Sequence, residues 1–225
     1  MISDVLRNLF TSGELVSGIG ETFYMVCLAT LFAYVIGLPL GLLLVTTDKK
    51  GVRPMPVLNT VLGIVVNILR SIPFLILAVM LIPFTRAIVG TSIGSTATIV
   101  PLVIGSAPFV ARMVESSAKE VDPGIIEAAQ SMGASTGQII FKVLLPEAKP
   151  SLVVGAAITI TTILGYSAMA GFVGGGGLGT IAVSYGYNRY QTDVMLLTVA
   201  LLVVIVQLFQ EIGMRLAKRI DRRIH

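Results

Sequence analysis

The chain has 225 residues, 55% of them hydrophobic and only 12% charged, with a net charge of +4. Soluble domains carry about 25% charge, and a water-soluble fold of this size cannot hide so much apolar surface, so the composition points to one domain embedded in a membrane. A lone cysteine, Cys27, excludes an intrachain disulfide, and a lone histidine, His225, excludes a histidine metal cluster or a Ser–His–Asp triad within the chain.

Crossing ~30 Å of hydrocarbon takes about 20 helical residues. Residues 1–17 read as an N-terminal periplasmic segment, without the basic start and compact apolar stretch of a cleavable signal peptide. A membrane domain is expected over 18–213. Stretch 22–47 carries no charge and predicts a first span near 19–45, and a second apolar block near 57–83 is interrupted by Arg70. A third span is predicted near 95–114, a fourth near 151–172 and a fifth near 194–213, with a basic cytoplasmic tail over 214–225. The ~10-residue alternating segments of an outer-membrane barrel are absent from this pattern. The expected fold class is an all-α integral membrane protein with five transmembrane helices.

The cations set its orientation. Lys49, Lys50 and Arg53 follow the first span. Arg112, Lys119, Lys142 and Lys149 lie between the third and fourth spans or at their edges, and Arg215, Lys218, Arg219, Arg222 and Arg223 follow the fifth. Five spans put these twelve on one side and leave Arg7, Arg86 and Arg189 on the other. The positive-inside bias then places the N-terminus in the periplasm and the C-terminus in the cytoplasm. It also accounts for the net positive charge without any nucleic acid.

Segment 115–149 is the one long cytoplasmic connection, and long connections are often functional. It reads as a short helical hairpin on the membrane surface. Asp122 is placed to cap a helix that Pro123 begins, and Gly133 to end it. Ile125, Ile126, Ala129 and Met132 recur at helical spacing between Glu127, Gln130 and Ser131. Such a helix either docks into a groove on a partner or rests on lipid headgroups.

Glu127-Ala128-Ala129, then Gly133, then Val143-Leu144-Leu145-Pro146, resembles the EAA motif of binding-protein-dependent ABC importer permeases, with Val143 in place of the usual Ile. Further blocks are similar to the methionine-type permease subunit. They are Arg70-Ser-Ile-Pro-Phe74, the run over 82–94, Ala107-Pro-Phe109 with Ala111-Arg112-Met113, and Gly165-Tyr-Ser-Ala-Met169. The resemblance covers most of the chain from about 18 to 190. It implies a type I ABC importer permease fold in the bacterial inner membrane, and uptake of methionine, L- and D-, from the periplasm by alternating access. Glu127, Ala128, Ala129, Gly133, Leu145 and Pro146 would then contact the ATPase. The implied partners are a second copy of the chain, two ATPase subunits that bind ATP and Mg, a lipid-anchored periplasmic binding protein, and membrane lipid. The chain itself would be no enzyme and hold no cofactor or metal, in keeping with a sequence that has no Walker A pattern.

Three features admit two readings each. The glycine-rich run over 171–179 lacks the Lys-Ser/Thr ending of a phosphate loop, which favours a flexible or tightly turned outer connection where a binding protein can dock. Tyr166, Ser167 and Met169 in the fourth span suit a translocation pathway, with Met169 as a flexible apolar gate, although polar residues and methionines in spans also serve plain packing. Arg70 is costly inside a membrane, and beside Ser71 and Pro73 it favours a structural role at a helix break over a substrate carboxylate contact. Pro39, Pro73, Pro101 and Pro108 are expected to kink spans.

A secondary amino-acid carrier not driven by ATP is the alternative function. It calls for paired internal repeats and acidic groups inside the spans, whereas Glu21, Glu115, Asp193 and Glu211 are expected at span edges.

Overall fold

Helix is the one open-chain form that satisfies its own backbone inside hydrocarbon. In the computed structural model, which describes residues 8–220 apart from Phe10, no strand occurs among the described residues. The expected segment 1–17 and the tail 214–225 fall partly outside the described residues, with Arg7, Arg222, Arg223 and His225.

The elements are α1 (Glu14–Thr47), α2 (Pro56–Ser71), α3 (Phe74–Met80), α4 (Ile82–Val89), α5 (Ser95–Lys119), α6 (Pro123–Ser131) and α7 (Thr136–Ile139). Helix α7 runs through a π turn, Ile140–Leu144, into α8 (Leu145–Ala170). A 3-10 turn (Gly171–Val173), α9 (Gly177–Ile181), a π segment (Ala182–Tyr187) and α10 (Thr192–Ile220) complete the chain. Among the described residues, four helices are long and apolar enough to cross a membrane, namely α1, α5, Thr136–Val173 and α10. Counting the α2–α3 pair as one broken span makes five.

The second span, expected near 57–83 with an interruption at Arg70, is this pair, and it bends by 98°. Pro73 has no N–H to donate and restricts Ile72 away from the α region, so α2 stops at Ser71. Pro73 itself, at φ −58° and ψ 132°, leads into α3. Of the four prolines expected to kink spans, Pro39 lies inside α1 and Pro101 and Pro108 inside α5, so those helices run on through them.

The fourth helix also starts earlier than the sequence suggests, at Thr136. The helix passes both Pro146 and Pro150. Ahead of Pro146 the Leu145 N–H reaches back five residues to the Ile140 carbonyl. This wider turn gives the proline ring room. Glu21 and Glu115 lie inside α1 and α5, helices that extend beyond the spans expected near 19–45 and 95–114.

The chain divides into two compact units, one made of 1–32, 72–105 and 160–210, the other of 33–71, 106–159 and 211–225. In the second unit α1 and α5 pack through glycine. A Cβ at Gly37 would stand 2.6 Å from that of Val110, and one at Gly41 would stand 2.5 Å from the Ala111 carbonyl oxygen. This Gly-xxx-Gly stripe brings backbones together as small residues do in membrane bundles. The end of α1 is closed by its successor: Asn59 Nδ2 donates to the Leu44 carbonyl at 2.6 Å, and the Arg53 and Met55 amides donate to the Thr46 and Thr47 carbonyls. The last turn's orphan carbonyls are thereby largely satisfied.

In the first unit the glycine-rich run is tightly turned. Gly174, Gly176 and Gly177 have positive φ. Glu21 accepts the Gly177 N–H at 2.7 Å and Thr22 accepts the Leu178 N–H at 3.0 Å, while Thr98 donates to the Gly175 carbonyl at 3.0 Å. Glu21 is thus a structural partner of this turn.

Replacing Gly41 by valine would force α1 away from α5 at a cost of ~1–3 kcal/mol. We expect Gly41→Val to lower the thermal unfolding midpoint of the detergent-solubilised protein by several degrees. An unchanged midpoint would contradict the close packing.

Candidate functional site

The surface around α6 is built almost wholly from local chemistry. Asp122 accepts the Gly124 N–H through Oδ1 at 2.8 Å, and Pro123 opens the helix. At the other end the Ala134 N–H bonds to the Ala129 carbonyl and the Gly133 N–H to that of Gln130, with Gly133 at φ +79°. These two bonds and the left-handed glycine form a Schellman stop. One residue on, Ser135 and Gln138 exchange the reciprocal bonds of a capping box, which starts α7. Both joints flanking α6 are therefore short and hydrogen-bonded.

Helix α6 presents two faces. Ala129 is buried with Val121, Ile139, Leu144 and Ala148, and Ile126 packs on the same cluster. Glu127, Ala128, Gln130 and Ser131 are exposed, as are Gly133 and Pro146, while Leu145 is half-buried. Of the six expected contact residues, Ala129 points into its own subunit, where its small side chain lets α6 lie close to the base of α8. Beside α6 opens a cleft of about 470 Å³, lined by Asp48, Lys50, Lys119, Glu127 and Gln130 among apolar residues such as Val45 and Ile126.

A chain of charges that sequence reading missed borders this cleft. Arg112 Nη1 donates to Glu115 Oε2 at 2.6 Å, and Lys119 Nζ donates to Glu115 Oε1 at 2.9 Å. Lys119 also meets Asp48 Oδ2 at 2.9 Å. Arg112 Nη2 donates to the Gly63 carbonyl at 3.0 Å and to Asn67 Oδ1 at 2.8 Å. The Lys119 ammonium, donating to it, holds the Asp48 carboxyl below its ordinary value. Arg112, Glu115 and Lys119 stand at helical spacing, so their pairing is visible in the sequence. Asp48, Gly63 and Asn67 are distant in the chain and carry no such signal.

The expected pathway residues lie in the other unit. Tyr166 stacks on Phe74, with centroids 4.6 Å apart and planes 2° from parallel. Ser167 is buried and donates to the Leu164 carbonyl at 2.8 Å, whereas Met169 is 49% exposed. Arg70 is exposed, its guanidinium 6.0 Å from the Phe109 ring centroid.

A family described as "Binding-protein-dependent transport system inner membrane component" matches residues 37–225. This chain belongs to that family. The probable D-methionine transport system permease protein MetI of Vibrio cholerae is 53% identical to it over 212 residues, 94% of each chain. The methionine import system permease protein MetP of Bacillus subtilis is 48% identical over 181 residues, 80% of this chain and 82% of MetP. Among solved structures, a chain of the inward-facing MetNI methionine ABC transporter superposes with a TM-score of 0.93 at 48% identity, covering 98% of this chain and all of that one. The fold is thus the all-helical one of type I ABC permeases. An amino-acid ABC transporter chain at 23% identity and a TM-score of 0.77 shares that fold.

For a permease of this family, the Gly133 joint yields a sharp test. A Cβ at Gly133 would meet nothing within 4 Å, so the only penalty of a side chain there is backbone strain at positive φ. That strain is ~1–2 kcal/mol for ordinary residues, and asparagine largely escapes it. Gly133→Val is expected to weaken co-purification of the ATPase several-fold, and Gly133→Asn to preserve most of it. Equal recovery from both variants would show that the joint's conformation is irrelevant.

Proposed function

We propose that the chain is the membrane-spanning pore subunit of an ATP-driven importer that takes up methionine, L- and D-, by alternating access. The observation that carries this reading is the 53% identity, over 94% of both chains, to a permease named for D-methionine transport. The similarity to a permease named for methionine import supports the inward direction. The domain spans 18–213, with the N-terminus periplasmic, and α6 and the tail 214–225 cytoplasmic, as the distribution of cations supports.

In this reading two copies of the chain enclose the pathway, two ATPase subunits bind ATP and Mg, and a lipid-anchored periplasmic binding protein delivers the substrate. Two-fold pairing of identical chains is the commonest closed assembly, and it supplies a symmetric pathway that a chain without internal repeats lacks. Helix α6 is the coupling helix. Its exposed Glu127 can pair with a cation of the ATPase, and Ala128 lets the two backbones approach. Gly133, Leu145 and Pro146 shape the exit toward α8, and Ala129 supports α6 from behind. Because α6 joins α5 through 120–122 and α7–α8 through 132–135, closing of the ATPase dimer pulls on both helices. Met169 is the gate residue, its flexible thioether exposed to meet its symmetry mate, with Tyr166 and Ser167 beside it on α8.

The deciding experiment is uptake by the purified permease–ATPase complex in proteoliposomes with its binding protein. ATP should drive accumulation of L- and D-methionine in preference to other amino acids. Glu127→Lys should abolish uptake while leaving membrane insertion normal. Uptake that runs on an ion gradient without ATP would replace this reading with that of a secondary carrier.

The gate makes a separate prediction. Met169→Ala is expected to raise ATP hydrolysis in the absence of substrate and to lower net uptake. If both quantities stay at wild-type levels, Met169 is a packing residue.

A further inference from the structure

The charge chain beside α6 lacks a stability rationale. Only 12% of the sequence is charged, yet four of those side chains gather in one cluster, and Glu115 within it is 8% exposed. Buried ion pairs seldom stabilise a fold more than apolar residues of similar size. Arg112 shows the compromise: Nε is buried without a hydrogen-bond partner while Nη1 and Nη2 reach Glu115, Gly63 and Asn67. Such contacts do fix distance and direction, because charge-assisted hydrogen bonds are short and oriented.

We propose that Asp48, Arg112, Glu115 and Lys119 form an ionic strut that holds the root of the coupling helix to α1 and α2, so that a pull on α6 moves these helix ends together. They are positioning residues of the transport cycle, and the inference rests on the importer reading above. Lys119 is the last residue of α5, and only 120–122 separate it from α6. Its ammonium grips Glu115 one turn back and Asp48 just past the end of α1. Arg112, one turn further up, joins the same Glu115 to the middle of α2. The α1 end is itself tied to the start of α2 by Asn59 and by the Arg53 and Met55 amides. Buried Ser117 and Ala118 and the Ser151–Ser117 bond already join this turn to α8, so the strut's part is the link to α1 and α2, and without it the pull on α6 would reach those two helices only in part. The cost would fall on uptake per ATP hydrolysed, while hydrolysis itself continued.

The test uses the complete complex in a Cys27→Ser background, since Cys27 is exposed. Asp48→Asn and Lys119→Met are each expected to lower methionine taken up per ATP hydrolysed by about fivefold, within the range of coupling between contacting residues. Lys119→Arg should keep the wild-type ratio. A purely structural role would lower abundance, hydrolysis and uptake together and leave that ratio unmoved. The double variant Asp48→Cys/Lys119→Cys should be defective until a short bifunctional maleimide joins the two thiols, and regain the ratio when it does. Wild-type ratios in Asp48→Asn and Lys119→Met, or a cross-link that fails to restore uptake per ATP, would overturn the strut. Absence of ATP-driven uptake by the wild-type complex would instead overturn the importer reading, and the strut's role with it.

Discussion

Every backbone N–H and C=O that leaves a helix in an apolar chain must find another partner, because hydrocarbon supplies none. At two places where this chain breaks a helix, the structure has arranged those partners. The end of α1 hands its carbonyls to Asn59, Arg53 and Met55. The turn before α9 hands its amides to Glu21, Thr22 and Thr180, and the Gly175 carbonyl to Thr98. These breaks are consequently defined joints, and the polar side chains that define them serve the backbone first.

The same demand explains most of the hydroxyls within the helices. Thr22, Thr98, Thr159 and Thr198 each donate to a carbonyl four residues earlier, and Ser167 to one three residues earlier. A hydroxyl engaged in this way presents little polarity to a passing substrate. That shifts the weight of the proposed pathway from Ser167 to Tyr166 and Met169, whose ring and thioether are available to move. Tyr166 already leans on Phe74, the first residue after the sharp break at Pro73. A change at that break would therefore be felt directly by the aromatic pair.

What was legible in the sequence is what local chemistry decides. Asp122, Pro123 and Gly133 delimit α6 because capping, proline entry and left-handed exit act within a few residues. The break at Pro73 was visible as a proline beside a misplaced arginine, but its angle was not, since no local rule sets it. The early start of the fourth helix was not legible, because the uncharged run begins only at Pro150, while a π turn ahead of Pro146 carries one helix from Thr136 to Val173. Asp48 was illegible because its meaning comes from Lys119, 71 residues away in the chain. Glu21 was legible as a charge at the start of the first span, but its role was not, since the Gly177 N–H it accepts lies 156 residues away in the chain.

In its proposed coupling role, α6 is useful only if displacement passes through it without being absorbed. Loose connections on either side of α6 would take up an applied motion as changes in backbone dihedrals, as hinges do. Here the entry is closed by the Asp122 cap and the exit by the Schellman turn followed at once by the Ser135 capping box. Ala129 and Ile126 fasten the inner face of α6 to the start of α8. The last turn of α5 is packed too, through buried Ser117 and Ala118, and Ser151 Oγ donates to Ser117 Oγ at 3.0 Å, which ties that turn to α8. That is where Lys119 reaches Asp48. The charges add a link from this end of α5 to α1 and α2, which neither the joints of α6 nor the packing on α8 provides.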